Sequence, residues 1–431
     1  MSRARYRLML TAIGATGAIL PGQTLLAQIK TVPSATISLG GGYSTNPFLS
    51  ANPDTSAASV QLNVQPSLEL IDNNTQAVIS ANYNRTEYLS KYGGNDGYGA
   101  SLAGSSQLNP RLSVNLSAGY DSQILGTAGG FAITPVVVGG TTGTTIDGTT
   151  TGVPVVAPVT PILTTPIIGG IGGDVGLIGL RQRRETLSAS AGGTYRPDER
   201  STWNAGVSVS RNNYPNNGGI ATNFRTYGVN TAYTRSLSET TSVGIQLAGT
   251  VVQYSNIPTS KFLTPRLTYS RLLSEKWTLD LAVGGSIVDD GVGNGTRVAV
   301  SATGSLCRAG ERGRLCISGA REPSVGGFGG TRNQTSLSAT YSYQVSEATS
   351  LSATGSYQRI GSGGTVVGLP LANRTSNQDY LSGDVTVSRR ISRRLSAYAS
   401  GSYRDVNGLG VPVSADIGGR AGLSLAVGGR R

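Results

Sequence analysis

The sequence predicts an all-β fold, namely a single transmembrane, antiparallel, up-and-down β-barrel. Three observations lead to this prediction. Many segments alternate polar and apolar side chains over about 9–11 residues, the length that a tilted strand needs to cross a bilayer. Short connections alternate with longer ones along the chain. No segment after the N-terminal region has the long apolar run of a membrane helix, so strands are the elements that could span a bilayer.

The clearest strand occupies residues 59–70 (SVQLNVQPSLEL). Its apolar side chains fall mostly at even positions and its polar ones at odd positions, because successive residues of a strand face opposite sides of a sheet. Residues 72–74 (DNN) supply a turn and residues 77–83 (AVISANY) a returning strand, so the unit is a β-hairpin. Pro66 has no N–H to donate and a closed barrel has no edge, so we expect a β-bulge there.

The composition fits a barrel and excludes several classes of protein. The chain has 431 residues with 61 Gly, 13% charged residues and no His. Low charge combined with regular alternation does not fit a disordered chain. Without His there is no Ser-His-Asp triad and no His-ligated zinc site, so we expect neither an enzyme nor a cofactor. The adjacent pair Asp289-Asp290 lies in turn-forming sequence and is interpreted as a solvated or ion-binding turn.

Residues 1–27 are expected to be a signal peptide that precedes a barrel at residues 28–431. Arg3, Arg5 and Arg7 give a positive N-terminal region, and an apolar core of thirteen residues follows at 8–20. That core is shorter than the roughly 20 residues of a spanning helix, which disfavours a membrane anchor. Export combined with strands of membrane length points to the bacterial outer membrane.

About eighteen alternating segments follow from residue 35 onward. Sixteen is the alternative, because the segments near Ile37 and at residues 315–320 are the weakest. Short turns are predicted at residues 72–74, 109–111, 197–199, 238–240, 274–276, near 311, 346–348 and 392–394. Longer loops are predicted at residues 44–57, 89–96, 122–180, 212–223, 322–331 and 361–376. Barrels of this kind have short periplasmic turns and longer extracellular loops, and an even strand number places both termini in the periplasm.

The turns also show an internal repeat. Glu239, Glu275, Glu311 and Glu347 are each 36 residues apart. One up-and-down hairpin is therefore the repeating unit.

The loop at residues 122–180 is exceptionally long, and its only charges are Asp147 and Asp174. Its four central prolines exclude a helix. It is either a constriction or lid of the bore, or a surface loop. Apolar runs such as VVV at residues 136–138 would be poorly placed in water and favour the constriction.

Two cysteines flank the most irregular short turn. Cys307 and Cys316 both fall on the bore-facing phase of their strands, since Leu306 and Leu315 take the lipid-facing phase. We expect them to form a disulfide in the oxidising periplasm.

The positive charge of the chain is mostly arginine, since only four of its 35 basic residues are lysines. A basic rim is predicted at the periplasmic end. It comprises Arg308, Arg312, Arg314, Arg389, Arg390, Arg393 and Arg394, with Arg430 and Arg431 at the C-terminus. Arginine binds carboxylate and phosphate with two hydrogen bonds, so the rim would recruit an acidic polymer or partner, or would lie beside anionic lipid head groups.

Charged residues of both signs are predicted inside the bore among many Ser, Thr, Asn and Gly. The bore candidates are Glu69, Arg266, Asp280, Arg297, Asp384 and Arg420. Strong ion selectivity uses rings of one sign, so this balance favours uncharged or weakly acidic hydrophilic solutes such as saccharides. The alternative is that these residues only hydrate or brace the wall.

Residues 420–427 (RAGLSLAV) resemble the barrel-assembly signal polar-x-Gly-x-x-apolar-x-apolar in the last strand of outer-membrane barrels, although GGRR follows in place of a terminal aromatic residue. Together with residues 39–48 (LGGGYSTNPF) and the Ser-Glu turns, this motif makes the chain similar to the porin-like β-barrels of exopolysaccharide-producing Gram-negative bacteria. The resemblance implies a non-enzymatic outer-membrane protein with a role in polysaccharide export. It identifies no site residues.

The expected function is a passive or gated channel for hydrophilic solutes or saccharide chains. The alternative is a structural or assembly partner of an envelope export machine, with a plugged bore and no conductance. The expected partners are outer-membrane lipid, the barrel-assembly machinery and a polysaccharide or periplasmic export component. Nucleic acid is not expected, because no basic stripe is interleaved with stacking aromatic residues.

Overall fold

The computed structural model describes residues 30–51, 55–127, 172–215, 221–291, 295–361 and 377–428, which form a closed antiparallel β-barrel. Its eighteen strands are β1 (Lys30–Ser44), β2 (Ala57–Ile71), β3 (Thr75–Tyr88), β4 (Gly94–Asn109), β5 (Leu112–Ile124), β6 (Arg183–Tyr195), β7 (Ser201–Asn213), β8 (Phe224–Ser236), β9 (Thr241–Tyr254), β10 (Ser260–Ser274), β11 (Trp277–Asp289), β12 (Thr296–Ala309), β13 (Gly313–Val325), β14 (Thr331–Ser346), β15 (Thr349–Ile360), β16 (Gln378–Arg390), β17 (Leu395–Asn407) and β18 (Asp416–Gly428). Each strand pairs with its neighbours in sequence, and β18 pairs with β1 to close the ring.

The predicted fold class and strand number are confirmed. The two weakest predicted segments are β1 and β13. The expected signal peptide lies outside the described residues, as do residues 128–171 of the long loop. In the described part of the chain, no helix is long and apolar enough to cross a membrane.

The connections separate the barrel into two ends. Eight short connections, of which residues 196–200 are the longest, lie at one end, here called the turn end. The other connections lie at the opposite end, here called the loop end. β1 begins and β18 ends at the turn end, because the strand number is even.

Two loop boundaries differ from the prediction. β4 already begins at Gly94, so the connection after β3 is shorter than expected. β13 continues to Val325, which places Glu322 within a strand and not in a loop. Pro323 is accommodated within the pairing of β13 with β14.

The expected bulge at Pro66 is wrong. Val64 pairs with Tyr83 and Ser67 pairs with Ser80, so the register of β2 and β3 is the same on both sides of the proline. The missing N–H interrupts the ladder towards β3 only, while Pro66 keeps its place opposite Ala35 on β1. The register shifts instead beside three two-residue turns, where β4 meets β5, β10 meets β11 and β14 meets β15.

The outer face of the barrel is an apolar band between two levels of aromatic side chains. Its exposed apolar residues include Leu39, Leu116, Val229, Leu267 and Val300. The aromatic level nearer the turn end comprises Tyr195, Trp203, Tyr233, Tyr269, Trp277, Tyr341 and Tyr343. The level nearer the loop end comprises Tyr43, Tyr83, Tyr98, Tyr120, Tyr227, Tyr357 and Tyr403. Aromatic girdles at both interfaces are typical of transmembrane barrels.

Candidate functional site

The wall of the bore is lined by hydroxyl groups that bond to one another across neighbouring strands. Ser80 and Ser101 lie 2.7 Å apart, as do Ser117 and Ser190. The same arrangement recurs around the ring in the pairs Ser34–Ser67, Ser38–Ser424, Thr264–Ser286, Ser318–Ser338, Ser350–Ser388 and Ser356–Ser382. The wall is therefore polar but mostly uncharged.

The six predicted bore residues all lie on bore-facing positions, and they fall into separate groups. Arg420 donates to Ser400 (2.7 Å) and lies 3.7 Å from a carboxylate oxygen of Asp384. Asp280 accepts hydrogen bonds from Ser270 (2.6 Å) and Ser305 (3.2 Å).

Arg297 lies 3.3 Å from Asp290 near the loop end. Glu69 accepts a hydrogen bond of 2.9 Å from Gln76 near the turn end. The structure thus does not bring the six candidates together into one site.

One charge pair of the wall joins Arg266 on β10 to Glu322 on β13, with 2.7 Å between Nη2 and Oε2. Arg266 also donates to Ser301 on β12 at 2.9 Å. The two charged side chains are only 8% and 15% exposed. Sequence reasoning found Arg266 but missed Glu322, because it had assigned Glu322 to a loop. The bore-facing phase of β13, extended past Ala320, would have found it.

The loop end of the bore is filled by segments of four connections. These segments are residues 46–50, 172–180, 326–330 and 409, and they are here called the loop plug. They pack on bore-facing side chains, among them Tyr88, Val252, Ile360 and Val406. Because the wall residues that they bury point inward, the loop plug lies inside the barrel.

The last part of the long loop crosses the bore. It includes two short 3₁₀ turns within Gly172–Leu177, which meet at a kink at Asp174. Val175 and Ile178 pack with Tyr380 on β16, whereas Leu177 packs with Phe224 on β8. Strands β8 and β16 lie on nearly opposite sides of a ring of eighteen, so these neighbouring residues reach both walls.

Asp174 connects this crossing segment to three other parts of the barrel. Its carboxylate accepts hydrogen bonds from the hydroxyl of Tyr214 and the backbone N–H of Gly327, both at 2.7 Å, and it forms an ion pair of 3.1 Å with Arg184 on β6. Asp174 is only 2% exposed. Burial, followed by the negative charge of Asp174, raises the pKa of Tyr214 well above its usual value, so the phenol stays protonated and donates.

A second ion pair anchors the opposite part of the loop plug. Arg404 on β17 and Asp416 on β18 are both buried and lie 2.5 Å apart. Asp416 also accepts hydrogen bonds from the hydroxyl of Ser44 (2.5 Å) and the N–H of Asn46 (2.8 Å). Arg404 donates to the carbonyl groups of Pro47 (3.1 Å) and Gly126.

The sequence prediction missed these anchoring residues as functional groups. A signal existed for Asp174, which is one of two charges in the long loop. Arg404 and Asp416 carried a weaker signal, since both take the bore-facing phase at the loop end of their strands.

At the turn end, Cys307 and Cys316 lie opposite each other on β12 and β13 and are joined by a disulfide bond. The seven arginines of the predicted basic rim in the described chain are all exposed and all lie at this end. Arg308 lies over the ring of Trp277, with 5.7 Å from its guanidinium carbon to the ring centre. Arg430 and Arg431 lie outside the described residues.

The described residues include no cluster of three or more His, Cys, Asp or Glu side chains that could hold a metal ion. Asp289 accepts a hydrogen bond of 3.0 Å from the N–H of Gly291, which is a turn interaction. Asp290 lies beside Arg297.

Three solved structures align with nearly the whole chain. OprD of Pseudomonas aeruginosa covers 93% of this chain and 97% of its own, at 8% identity and a TM-score of 0.41. A BenF-like porin from Pseudomonas fluorescens Pf-5 covers 93% and 99%, at 10% identity and a TM-score of 0.44. OccAB3 of Acinetobacter baumannii covers 93% and 99%, at 8% identity and a TM-score of 0.42.

At these TM-scores the likeness carries no argument about function, and the barrel fold rests on the strand pairing described above. No protein-family model matches the chain, and no curated protein matches it.

Proposed function

We propose that this chain is an outer-membrane channel for uncharged hydrophilic solutes, including saccharides, and that the loop plug is its gate. The observation that supports a channel of this kind is the wall of paired hydroxyl groups, in which each of the three predicted bore arginines lies beside a carboxylate. Such a wall offers hydrogen-bonding groups along the bore without the ring of one sign that selects ions. The apolar outer band between two aromatic levels supports a location in a membrane.

The orientation follows the usual asymmetry of such barrels. Short turns face the periplasm and longer connections face the outside, so both termini are periplasmic and the gate is extracellular. The hydroxyl-lined bore also supports the finer proposal that the solutes include saccharide chains of an exported polysaccharide.

Conductance and solute flux of the refolded mature protein test the proposal. Planar bilayers should show discrete openings with a cation-to-anion permeability ratio near one. Proteoliposomes should swell in neutral sugars faster than protein-free liposomes. A strongly ion-selective conductance, or conductance without sugar flux, would contradict the proposed solute class.

A second candidate is a non-conducting structural or assembly partner of an export machine, and the loop plug is the observation that favours it. Two loop replacements distinguish a gate from a permanent closure. Replacing residues 127–176 with a short Gly-Ser link removes Asp174 and Val175, whereas replacing residues 130–170 keeps both.

If the plug is a gate, the first replacement should raise conductance well above that of the second in equally folded barrels. A chain that stays closed to ions and sugars with both replacements would support the structural role.

A further inference from the structure

The basic residues of the turn end are concentrated on one side of the barrel. Each turn is taken here together with the four residues on either side of it. The turns β12–β13, β14–β15 and β16–β17 together contain seven arginines and only two carboxylates, Glu311 and Glu347. The same windows around the five turns from β2–β3 to β10–β11 contain six basic residues and seven carboxylates. The excess of positive charge is therefore an arc and not a complete rim.

This asymmetry argues against lipid head groups as the ligand of the arc. A bilayer surrounds the barrel on all sides, so attraction to anionic head groups would favour basic residues around the whole circumference. An excess confined to the β12–β13 and β16–β17 turns, which flank a turn without arginine, indicates a ligand that approaches from one side.

The positions of the side chains argue against an anionic polymer in transit. Arg312, Arg393 and Arg394 lie in the turns themselves, beyond the ends of the strands. Above them, the bore arginines Arg266, Arg297 and Arg420 each lie beside a carboxylate, and Asp280 and Glu69 add further negative charge. A polyanion would thus find cations at the tips of the turns but no continuing excess along the bore.

The disulfide bond fixes part of this arc in place. Cys307 and Cys316 are directly opposite each other, and Arg308, Arg312 and Arg314 lie next to or between them. The described residues provide no side-chain partner for Arg312, Arg314, Arg393 or Arg394. Because the disulfide holds the backbone of the β12–β13 turn, less of that turn has to be ordered when it binds an anion. Exposed guanidinium groups match carboxylates with two hydrogen bonds each.

We propose that the β12–β13 and β16–β17 turns form a docking surface for an acidic segment of a partner protein, rich in Asp and Glu. The partner would dock at one side of the turn end and leave the centre of the bore free.

A charge-matched pair of variants tests the proposal in the full-length mature protein, in nanodiscs of zwitterionic lipid. One variant carries Arg312→Gln, Arg393→Gln and Arg394→Gln. The control carries Arg111→Gln, Arg196→Gln and Arg200→Gln, which removes the same charge from turns on the other side. The probe is a labelled poly-glutamate peptide, and an oligomer of uronic acid serves as the polysaccharide comparison.

The arc variant should bind the peptide about tenfold more weakly or worse, whereas the control should change by less than about twofold. Reduction of the disulfide should weaken peptide binding by the wild-type protein. It should not change the contribution of Arg111, Arg196 and Arg200 to that binding. Equal losses in both variants, or tighter binding of the uronic acid oligomer than of the peptide, would overturn the proposal.

Discussion

The hydroxyl of Tyr214 donates a 2.7 Å hydrogen bond to the carboxylate of Asp174 in the buried interior of the loop plug. This bond joins the end of the long loop to the β7–β8 connection at the loop end of the bore. The bore-crossing segment therefore has a definite attachment that can be loosened by one substitution.

Tyr214→Phe should raise the open probability of the proposed channel. The change removes a hydrogen bond to a charged group, worth about 1.5–3 kcal/mol, while the ring still fills its place. Single-channel recording measures the effect, and Tyr227→Phe on the outer face is the matched control. An unchanged open probability in a folded Tyr214→Phe barrel would show that the attachment does not limit opening.

Glu322→Gln should shift the ion selectivity of the bore towards anions. The substitution keeps the shape of the side chain but leaves the positive charge of Arg266, 2.7 Å away, without its counter-charge. The reversal potential in a KCl gradient reports this change. Glu87→Gln, which removes a carboxylate paired with Arg85 on the outer face, should leave the reversal potential unchanged.

Leu116→Arg should destabilise the barrel, whereas Ser117→Arg should be tolerated. Leu116 lies in the apolar outer band and Ser117 bonds to Ser190 in the bore. An arginine at the lipid midplane of a barrel costs about 2–4 kcal/mol. Unfolding titrations in lipid bilayers compare the two variants, and equal losses of stability would refute the assignment of the two faces.

The purified mature protein should contain no free thiol before reduction. Cys307→Ser with Cys316→Ser should lower the free energy of unfolding by about 2–3 kcal/mol, from the loop-closure entropy of the short bridged segment. Alkylation followed by mass mapping detects the bond directly. Two alkylated cysteines in the unreduced protein would contradict it.

The barrel was predictable because its signals are local. Each hairpin is defined by alternation along its strands, as in residues 59–70, and by its turn residues, as in residues 72–74. Neither signal depends on the rest of the chain. The expectation of a bulge at Pro66 failed because a strand can lose one ladder bond on one side and keep its register.

The loop plug was harder to predict because its contacts are far apart in sequence. Asp174 meets Gly327, and Arg404 meets Pro47, only after the barrel has closed, whereas Arg404 and Asp416 already face each other within the β17–β18 hairpin. The pair itself is local, but nothing local indicated that Arg404 and Asp416 would hold residues 46, 47 and 126 of other connections. Glu322 was missed for a different reason, since the loop predicted at residues 322–331 began before the end of β13 at Val325.

The paired serines of the wall have a consequence for how fast a solute could pass. Each pair already satisfies much of its own hydrogen-bonding capacity, so a sugar gains little by replacing water beside it. A sugar that binds the wall weakly also dissociates quickly, and conduction requires binding sites from which the solute readily dissociates. Uptake or export through such a bore would rise almost in proportion to solute concentration, without the saturation that a tight binding site imposes.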